Sequence, residues 1–467
     1  MDVNNGNQES RETDLKIQDA ERALARHRRR IRAQVAAYLT VAVLLIALGG
    51  LLYVGGIRFA RVVSERRAAA KLAKEAEAME AVAPEQEEAS LFEAAPEESE
   101  TETILTPEPV LEEAQDTVRT QEELLDEFID SLIADMPLKD KVAGLFLVTP
   151  EQLTGVDAAI KAGDGTEDAL QEKAVGGVVY TRKNIKSEEQ IAEMLQTTSN
   201  MSKYPLFLAT TEAGGDLGEL TGGLSLEELS SPAQLAEAGD TGAAFETGEA
   251  IAKRLIHHGF QVDLGLNINL TSDAMSEEER KSSFGSDPAV ASAVMSEMIR
   301  GLETNGIHTI VKLFPATASD EAGIPSAGIT SQDLDEGDGK MFAAAMEAGT
   351  RMVMVGNLAV PEIVGDNTPC SMSSAVIMDE LRGKLAFDGV VVTDAMDSRV
   401  ITDYYTADQA AVAAVKAGAD IIYRPEDLDE ALDGVVDAVN SGVIAESRID
   451  ESLKRIYRIK YEDRTFG

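Results

Sequence analysis

The sequence predicts an α/β fold: a closed (β/α)8 barrel of the TIM type, preceded by a single transmembrane helix and a disordered acidic linker. Three observations support it. Eight short apolar runs alternate with helical patterns, one uncharged apolar stretch lies near the N-terminus, and a proline-containing acidic segment separates the two. We therefore divide the chain into a basic tail (1–32), a transmembrane helix (33–57), a charged linker (58–119) and the barrel domain (120–467).

The predicted membrane span contains no charged side chain, and its centre, 41–48, is entirely apolar. A length of about 20 apolar residues is enough to cross the hydrocarbon core of a bilayer. A cleaved signal peptide and a buried core helix are the alternatives. The apolar block is longer than the core of a signal peptide, and no convincing cleavage site of small residues follows it.

Basic residues flank both ends of the span in nearly equal number, so their count alone does not decide the orientation. The cluster on the N-terminal side, between residues 26 and 32, is the denser one. Long C-terminal domains are translocated with little regard for their charge. We therefore expect a single-pass protein of the cell membrane with a cytoplasmic N-terminus and an extracellular barrel domain.

The linker region 75–116 contains Glu and Asp but no Lys or Arg, and it carries four prolines. Such a composition does not bury enough apolar surface to offset the entropy of ordering. We interpret it as an extended spacer between the membrane and the folded domain.

The overall composition excludes several classes of function. A formal net charge of -41 argues against a nucleic-acid partner, because phosphate neutralisation needs a basic surface. Cys370 is the single cysteine, so no disulfide forms within the chain. The four histidines and this cysteine do not show zinc-ligand spacing. We therefore expect neither a metal nor a cofactor.

Eight apolar runs beyond residue 120 predict the parallel strands of the barrel. They are 144–148, 177–180, 205–209, 260–264, 309–314, 352–356, 389–393 and 420–423. Apolar spacing also predicts a helix over 241–257, ended by Gly259, and a final amphipathic helix over 447–456.

The seventh run leads directly into Asp394. Barrel enzymes keep their catalytic groups at the C-terminal ends of the strands, so Asp394 is a candidate catalytic carboxylate. The alternative is an N-cap of the following helix, a role that Thr393, Asp394 or Asp397 would each fill.

Five motifs in order resemble glycoside hydrolase family 3, in particular its single-domain β-N-acetylhexosaminidase branch, and the resemblance covers about 125–461. The motifs are M-P-L-K-D-K-V at 136–142, S-F-G-S-D-P at 283–288, K-L-F-P at 312–315, F-D-G-V-V-V-T-D-A-M at 387–396 and A-G-A-D at 417–420. The resemblance implies a carbohydrate ligand and makes Asp394 the nucleophile of a retaining mechanism.

A retaining glycosidase also needs an acid that protonates the leaving oxygen and then acts as a base. The resembling branch carries a histidine for this on the loop after strand five. Here that loop, 312–325, contains no histidine and is shorter. Asp320 or Glu321 could take its place, since an apolar pocket keeps a carboxyl group protonated. The alternative is that both are solvated turn residues.

Other positions also depart from the family pattern. Thr211 stands where a sugar-binding Asp belongs, and Asp216 stands where an Arg belongs. Ser282 replaces an Arg, and Leu313 replaces a His. These changes remove charge-assisted hydrogen bonds to sugar hydroxyls.

Lys312 is the clearest polar residue to remain. It either donates to a sugar hydroxyl or forms a structural ion pair with Asp263 or Asp394. The candidate substrate-binding residues are Lys312, Thr211, Ser282 and Met396.

Two functions follow from these residues. The first is a membrane-anchored family 3-like domain directed at cell-wall amino sugars, with hydrolysis weakened or lost and glycan binding retained, which would make it a pseudoenzyme. The alternative is a competent retaining β-N-acetylglucosaminidase with Asp394 as nucleophile and Asp320 or Glu321 as acid/base.

Overall fold

The computed structural model describes residues 119–216, 218–272, 275–317 and 324–465, all within the unit Glu113–Gly467. The predicted basic tail, transmembrane helix and linker, apart from Arg119, lie outside these residues. Among the described residues, no helix combines the length and the apolar character that crossing a membrane requires.

Eight parallel strands form one sheet in the order β7-β6-β5-β4-β3-β2-β1-β8. Each overlaps one of the predicted apolar runs, so the predicted strand pattern is confirmed. The strands are β1 (Phe146–Val148), β2 (Gly177–Val179), β3 (Phe207–Thr210), β4 (Val262–Asp263), β5 (His308–Phe314), β6 (Met352–Val355), β7 (Val390–Thr393) and β8 (Ile422–Tyr423).

The sheet curls into a nearly closed barrel. Its two end strands, β7 and β8, meet at a parallel bridge between Val392 and Ile421. The N–H of Thr393 donates to the Ile421 carbonyl oxygen at 2.9 Å. This architecture is consistent with the predicted TIM-type barrel.

Helices connect the strands, as expected for β/α units. In the described residues the α-helices are α1 (Gln121–Ala134), α2 (Leu138–Ala143), α3 (Pro150–Thr154), α4 (Asp164–Glu172), α5 (Glu188–Met201), α6 (Glu219–Leu224), α7 (Pro232–Ala238), α8 (Thr241–His258), α9 (Glu277–Ser282), α10 (Pro288–Glu303), α11 (Ser331–Glu336), α12 (Asp338–Glu347), α13 (Pro361–Val364), α14 (Arg399–Thr402), α15 (Ala407–Ala417), α16 (Leu428–Asn440) and α17 (Glu446–Lys460). Arg182–Asn184 and Cys370–Met372 form 3₁₀ helices, and Ala375–Lys384 forms a π-helix.

Both predicted helices are confirmed. Helix α8 begins after Asp240, whose side chain accepts from the Ala243 N–H at 3.0 Å. It ends at Gly259, which adopts a left-handed φ of 95° that favours glycine. Helix α17 contains the predicted range 447–456.

The strands are buried on both faces. Every residue of β3, β6 and β7 is buried. Parallel strands under a helical layer are covered on both sides, which explains why the sequence shows continuous apolar runs and not alternation.

The junction between β7 and β8 is stabilised by the carboxylate of Asp420, which is fully buried. Its Oδ2 accepts from the Arg382 guanidinium at 2.6 Å and from the Val391 N–H at 3.0 Å. Its Oδ1 accepts from Ser452 at 2.6 Å and from Arg455 at 3.2 Å. One side chain thus joins β7, β8, the π-helix and α17.

Asp420→Ala tests this junction. Removing one partner of a buried ionic network leaves the remaining charges uncompensated, and this typically costs about 3–5 kcal/mol. We expect the free energy of unfolding of the full-length chain, measured by urea titration with circular dichroism, to fall by about that amount. Asp433→Ala, an exposed change on α16, is the matched control and should change it by less than about 0.5 kcal/mol. Equal losses in both variants would contradict the role of Asp420.

Candidate active site

Charged side chains converge at the C-terminal ends of the strands, which we call the barrel mouth. Asp263 is the last residue of β4, Lys312 lies in the second half of β5, and Asp394 follows β7. Glu212 follows β3. Lys312 interacts electrostatically with both Asp263 and Asp394, so these groups occupy one common region. Catalytic groups of barrel enzymes lie at this end of the strands.

Backbone groups of β6 and of the next residue hold Asp394 in place. Its N–H donates to the Val355 carbonyl oxygen at 2.8 Å, and its Oδ1 accepts from the Ala395 N–H at 2.7 Å. Burial raises the pKa of the Asp394 carboxyl, against the opposing effects of the Ala395 N–H, the Lys312 charge and the Asn357 N–H. Asp394 as a whole residue is half-buried.

The alternative role of an N-cap is not observed. Helix α14 begins after Ser398, which holds the N-cap position. The carboxylate of Asp397 instead accepts from Arg424, with Oδ2 at 3.0 Å from Nε and 2.6 Å from Nη2. The side chain of Thr393 accepts from the Tyr423 N–H at 3.0 Å. Asp394 is therefore free of a capping role.

Asn357 fixes the loop that carries Asp394. Its Nδ2 donates to the Ala395 carbonyl oxygen at 2.8 Å, and its Oδ1 accepts from the Ser371 hydroxyl at 2.6 Å. Asn357 was not among the residues predicted from the sequence. Its position, two residues after β6, is a signal that could have indicated a polar group at the barrel mouth.

Lys312 lies in the mouth without a direct ion pair. Burial lowers the pKa of its ammonium, while Asp394 and Asp263 act in the opposite direction. Among the described residues, Asp394 and Asp263 act on Lys312 through their charges alone, with no side-chain hydrogen bond to its ammonium. The direct ion pair with Asp263 or Asp394 is therefore not observed in this part of the chain. The ammonium can donate to a ligand instead.

Asp263 is the most deeply buried carboxyl of the mouth. Its Oδ1 accepts from the N–H groups of Glu212 at 2.8 Å and Gly265 at 2.9 Å, and its Oδ2 has no partner among the described residues. Burial, together with the negative charge of Glu212, raises the pKa of Asp263 to about 8. From the sequence, Asp263 was predicted only as a partner of Lys312.

Glu212 lies next to Asp263 at the mouth. Its carboxylate accepts from the N–H of Thr221 at 3.0 Å and from the Thr221 hydroxyl at 2.8 Å. Burial raises its pKa. Glu212 was not predicted from the sequence either, although it stands directly beside Thr211 at the end of a strand.

Two predicted sugar-binding residues lie at or beside the loops of the mouth. Thr211 directly follows β3, and its carbonyl oxygen accepts from the Glu219 N–H at 2.8 Å. Ser282 is the last residue of α9, and its hydroxyl donates to the Glu279 carbonyl oxygen at 2.9 Å. The Ser282 hydroxyl is therefore already bonded inside its own helix.

Met396 is buried and faces a different region from the charged groups. It lies beside Ile401, Tyr405 and Ile422, between β8 and helices α14 and α15. The structure thus brings Lys312 and Asp394 together and places Met396 against a separate packing region.

The positions that depart from the family pattern have local partners. Asp216 is exposed, and its carboxylate lies 3.8 Å from the Lys281 ammonium. Leu313 donates its N–H to Asn269 Oδ1 at 2.8 Å. The predicted acid/base residues Asp320 and Glu321 lie within 318–323, outside the described residues.

A sequence model of the "Glycosyl hydrolase family 3 N terminal domain" matches residues 138–459. The chain belongs to glycosyl hydrolase family 3. The predicted resemblance is therefore confirmed, and the family 3 chain resembles β-N-acetylhexosaminidases in particular.

Named relatives agree with this assignment. The chain is 23% identical over 325 residues to "Beta-hexosaminidase A" of Pseudoalteromonas piscicida, an alignment that covers 61% of this chain and 53% of that protein. It is 28% identical over 272 residues to "Beta-hexosaminidase LpqI" of Mycobacterium bovis, covering 55% and 68%. The chain thus spans about half the length of the first of these relatives.

Solved structures share the barrel. A family 3 β-N-acetylglucosaminidase from Paenibacillus sp. superposes with a TM-score of 0.64 at 28% identity, covering 71% of this chain and 64% of that one. A β-N-acetylhexosaminidase from Beutenbergia cavernae gives a TM-score of 0.57 at 23% identity, covering 70% and 99%, which shows the shared fold.

The raised pKa of Asp263 predicts a pH effect on stability. The folded state holds this proton up to about pH 8, whereas an unfolded Asp loses it near pH 4. The contribution of Asp263 to the free energy of unfolding is therefore fully present below about pH 4. It is lost as the pH rises to about 8, by up to about 1.4 kcal/mol per pH unit.

Asp263→Asn keeps an oxygen acceptor but does not titrate. We expect the fall in unfolding free energy between pH 5 and pH 8, measured by urea titration, to be smaller in this variant than in the wild type. Asp433→Asn, exposed on α16, should leave the pH slope unchanged. An unchanged slope in Asp263→Asn would show that Asp263 ionises normally in the folded chain.

Proposed function

We propose that this chain is a membrane-anchored family 3 domain that binds amino sugars of the cell wall and hydrolyses them weakly or not at all. One observation carries the proposal. Asp394 and Lys312 share the barrel mouth, while Leu313, Thr211 and Asp216 stand where the family pattern has its remaining polar groups. The candidate nucleophile is retained, whereas several polar groups of the family pattern that would surround the sugar are replaced.

Family membership indicates the general class of function. The family 3 barrel supports a glycoside hydrolase function, and a carbohydrate ligand fits that function. The Paenibacillus protein with the similar barrel is a β-N-acetylglucosaminidase, and this supports a ligand that contains N-acetylglucosamine.

The proposed chemistry assigns attack on the anomeric carbon to Asp394. A carboxylate forms a covalent glycosyl intermediate, and the bond to the leaving oxygen breaks. The Lys312 ammonium favours the ionised form of Asp394, which is the nucleophilic one, although burial acts against it. In its position beside this carboxylate, Lys312 would donate to a sugar hydroxyl.

The leaving oxygen then needs a proton. In the described residues, the histidines are His257 and His258 on α8 and His308 at the N-terminal end of β5. His308 lies 3.2 Å from Glu462, at the end of the strand opposite to Asp394. None of the three can replace the family histidine at the mouth. Poor leaving groups should therefore depart slowly.

The proposed location is the cell membrane. The uncharged apolar segment 33–57 would anchor the protein there, with the basic tail 1–32 in the cytoplasm and the barrel domain outside. This arrangement would present the mouth to cell-wall glycans.

A competent retaining β-N-acetylglucosaminidase is the second candidate. In the sequence, Asp320 and Glu321 follow the residues of β5, where the family carries its acid/base. Burial keeps a carboxyl group protonated near neutral pH, as it does for Asp263, whose pKa is raised to about 8.

A leaving-group series separates the two candidates. Dinitrophenolate leaves an activated 2,4-dinitrophenyl N-acetyl-β-glucosaminide without acid assistance. Methanol leaves a methyl glycoside only with it. A general acid contributes roughly 10²–10⁴-fold to the rate of glycoside cleavage. We therefore expect a burst or slow turnover with the dinitrophenyl substrate. The methyl glycoside should react more slowly than the dinitrophenyl substrate by at least that factor. Rates of dinitrophenolate and methanol release give the ratio.

Asp394→Asn should abolish the reaction with the dinitrophenyl substrate, and Asp403→Asn, an exposed change after α14, should not. Comparable turnover of both glycosides by the wild type would favour the competent enzyme, and Asp320→Asn and Glu321→Gln would then identify its acid. Identical rates in Asp394→Asn and wild type would remove Asp394 from the mechanism.

A further inference from the structure

Three metal-ligating side chains meet on the outer helices. A carboxylate oxygen of Glu188 and one ring nitrogen each of His257 and His258 all lie within 4.8 Å of one another. Glu188 is the first residue of α5, and the two histidines are the last residues of α8. These residues are distinct from those assigned above to sugar binding and catalysis.

The end of α8 packs against α5 and brings these residues together. Gly259 follows His258, and a Cβ atom added to it would lie 3.7 Å from the Cβ of Leu195 in α5. The two helices belong to neighbouring β/α units. Glu188 is distant from the histidines in sequence, which is why ligand spacing along the chain gave no metal prediction.

His258 is buried and has one ring nitrogen without a hydrogen-bond partner among the described residues. Only 4% of the residue is exposed, and its Nδ1 lies 2.7 Å from the Arg254 carbonyl oxygen. A carbonyl oxygen only accepts, so Nδ1 carries the proton and Nε2 keeps a free lone pair. Nε2 is buried and has no hydrogen-bond partner among the described residues. Metal-ligating histidines characteristically donate their other ring N–H to a carbonyl or carboxylate in this way.

We propose that Glu188, His257 and His258 bind one divalent transition-metal ion, with Zn²⁺ favoured, and that water completes a tetrahedron. Two imidazoles and one carboxylate form a ligand set that Zn²⁺ accepts with bonds of about 2.0–2.2 Å. Such bonds place ligand atoms about 3.4 Å apart. Glu188 and His257 are exposed, so rotation of their side chains can shorten separations of up to 4.8 Å to about 3.4 Å, a change of at most about 1.4 Å.

The bound ion would link α5 to α8. It would also satisfy the buried Nε2 of His258, which has no described partner in the protein. Because the ion would bind the folded arrangement and not the separated helices, its binding energy adds to the stability of the barrel.

Cobalt titration tests the site directly, since Co²⁺ absorbs visible light in a tetrahedral site with nitrogen and oxygen ligands. The full-length chain is purified in mild detergent, stripped of metal and titrated with Co²⁺, then with competing Zn²⁺. We expect one tightly bound ion per chain. His257→Gln and Glu188→Gln should each weaken binding at least tenfold, whereas Glu193→Gln, an exposed change on the same helix, should bind as the wild type does.

Thermal unfolding provides a second readout. Zn²⁺ should raise the midpoint temperature of the wild type and Glu193→Gln, and it should raise that of His257→Gln much less. His257 and Glu188 are exposed, so their variants test the site without disturbing the core. No visible Co²⁺ spectrum at stoichiometric metal, or equal binding by all four proteins, would overturn the proposal. Equal binding would place the ion on other acidic groups of this chain.

Discussion

Closure of the barrel between β7 and β8 is the constraint on which the site depends. These end strands meet at one parallel bridge, Val392 to Ile421, and the Ile421 N–H donates to the Val391 carbonyl oxygen at 3.0 Å. The buried Asp420 carboxylate adds a bond to the Val391 N–H and an ion pair with Arg382. Through this junction the strand that carries Asp394 is held in register with β8.

The mouth combines charges that would be costly in isolation. Burial raises the pKa of Asp394 and Asp263 and lowers that of Lys312, and each shift is opposed by the neighbouring opposite charge. A buried charge needs such compensation, which here comes from opposite charges and backbone N–H donors. The mouth thus keeps a carboxylate and an ammonium group near each other. It lacks a histidine acid in the described residues of the mouth.

Strands and long helices could be predicted because local patterns encode them: apolar runs for buried strands and helical spacing for α8. The position of Asp394 followed from the end of a strand, and Lys312 was predicted from the family resemblance. The roles of Asn357 and Glu212 did not, because they arise from contacts between separate strands and loops. Ser282 has a local partner that the sequence did not predict, since its hydroxyl donates to the Glu279 carbonyl oxygen within its own helix.

The central claim is that Lys312 and Asp394 form one mouth that binds an amino sugar, and calorimetric titration with an N-acetylglucosamine trisaccharide tests it most directly. Because a hydrogen bond from a charged donor contributes about 1.5–3 kcal/mol, Lys312→Met should weaken saturable binding roughly 10–100-fold. Lys416→Met, at an exposed position at the end of α15, should not change it. Equal affinity in both variants, or no saturable binding by the wild type, would contradict the account.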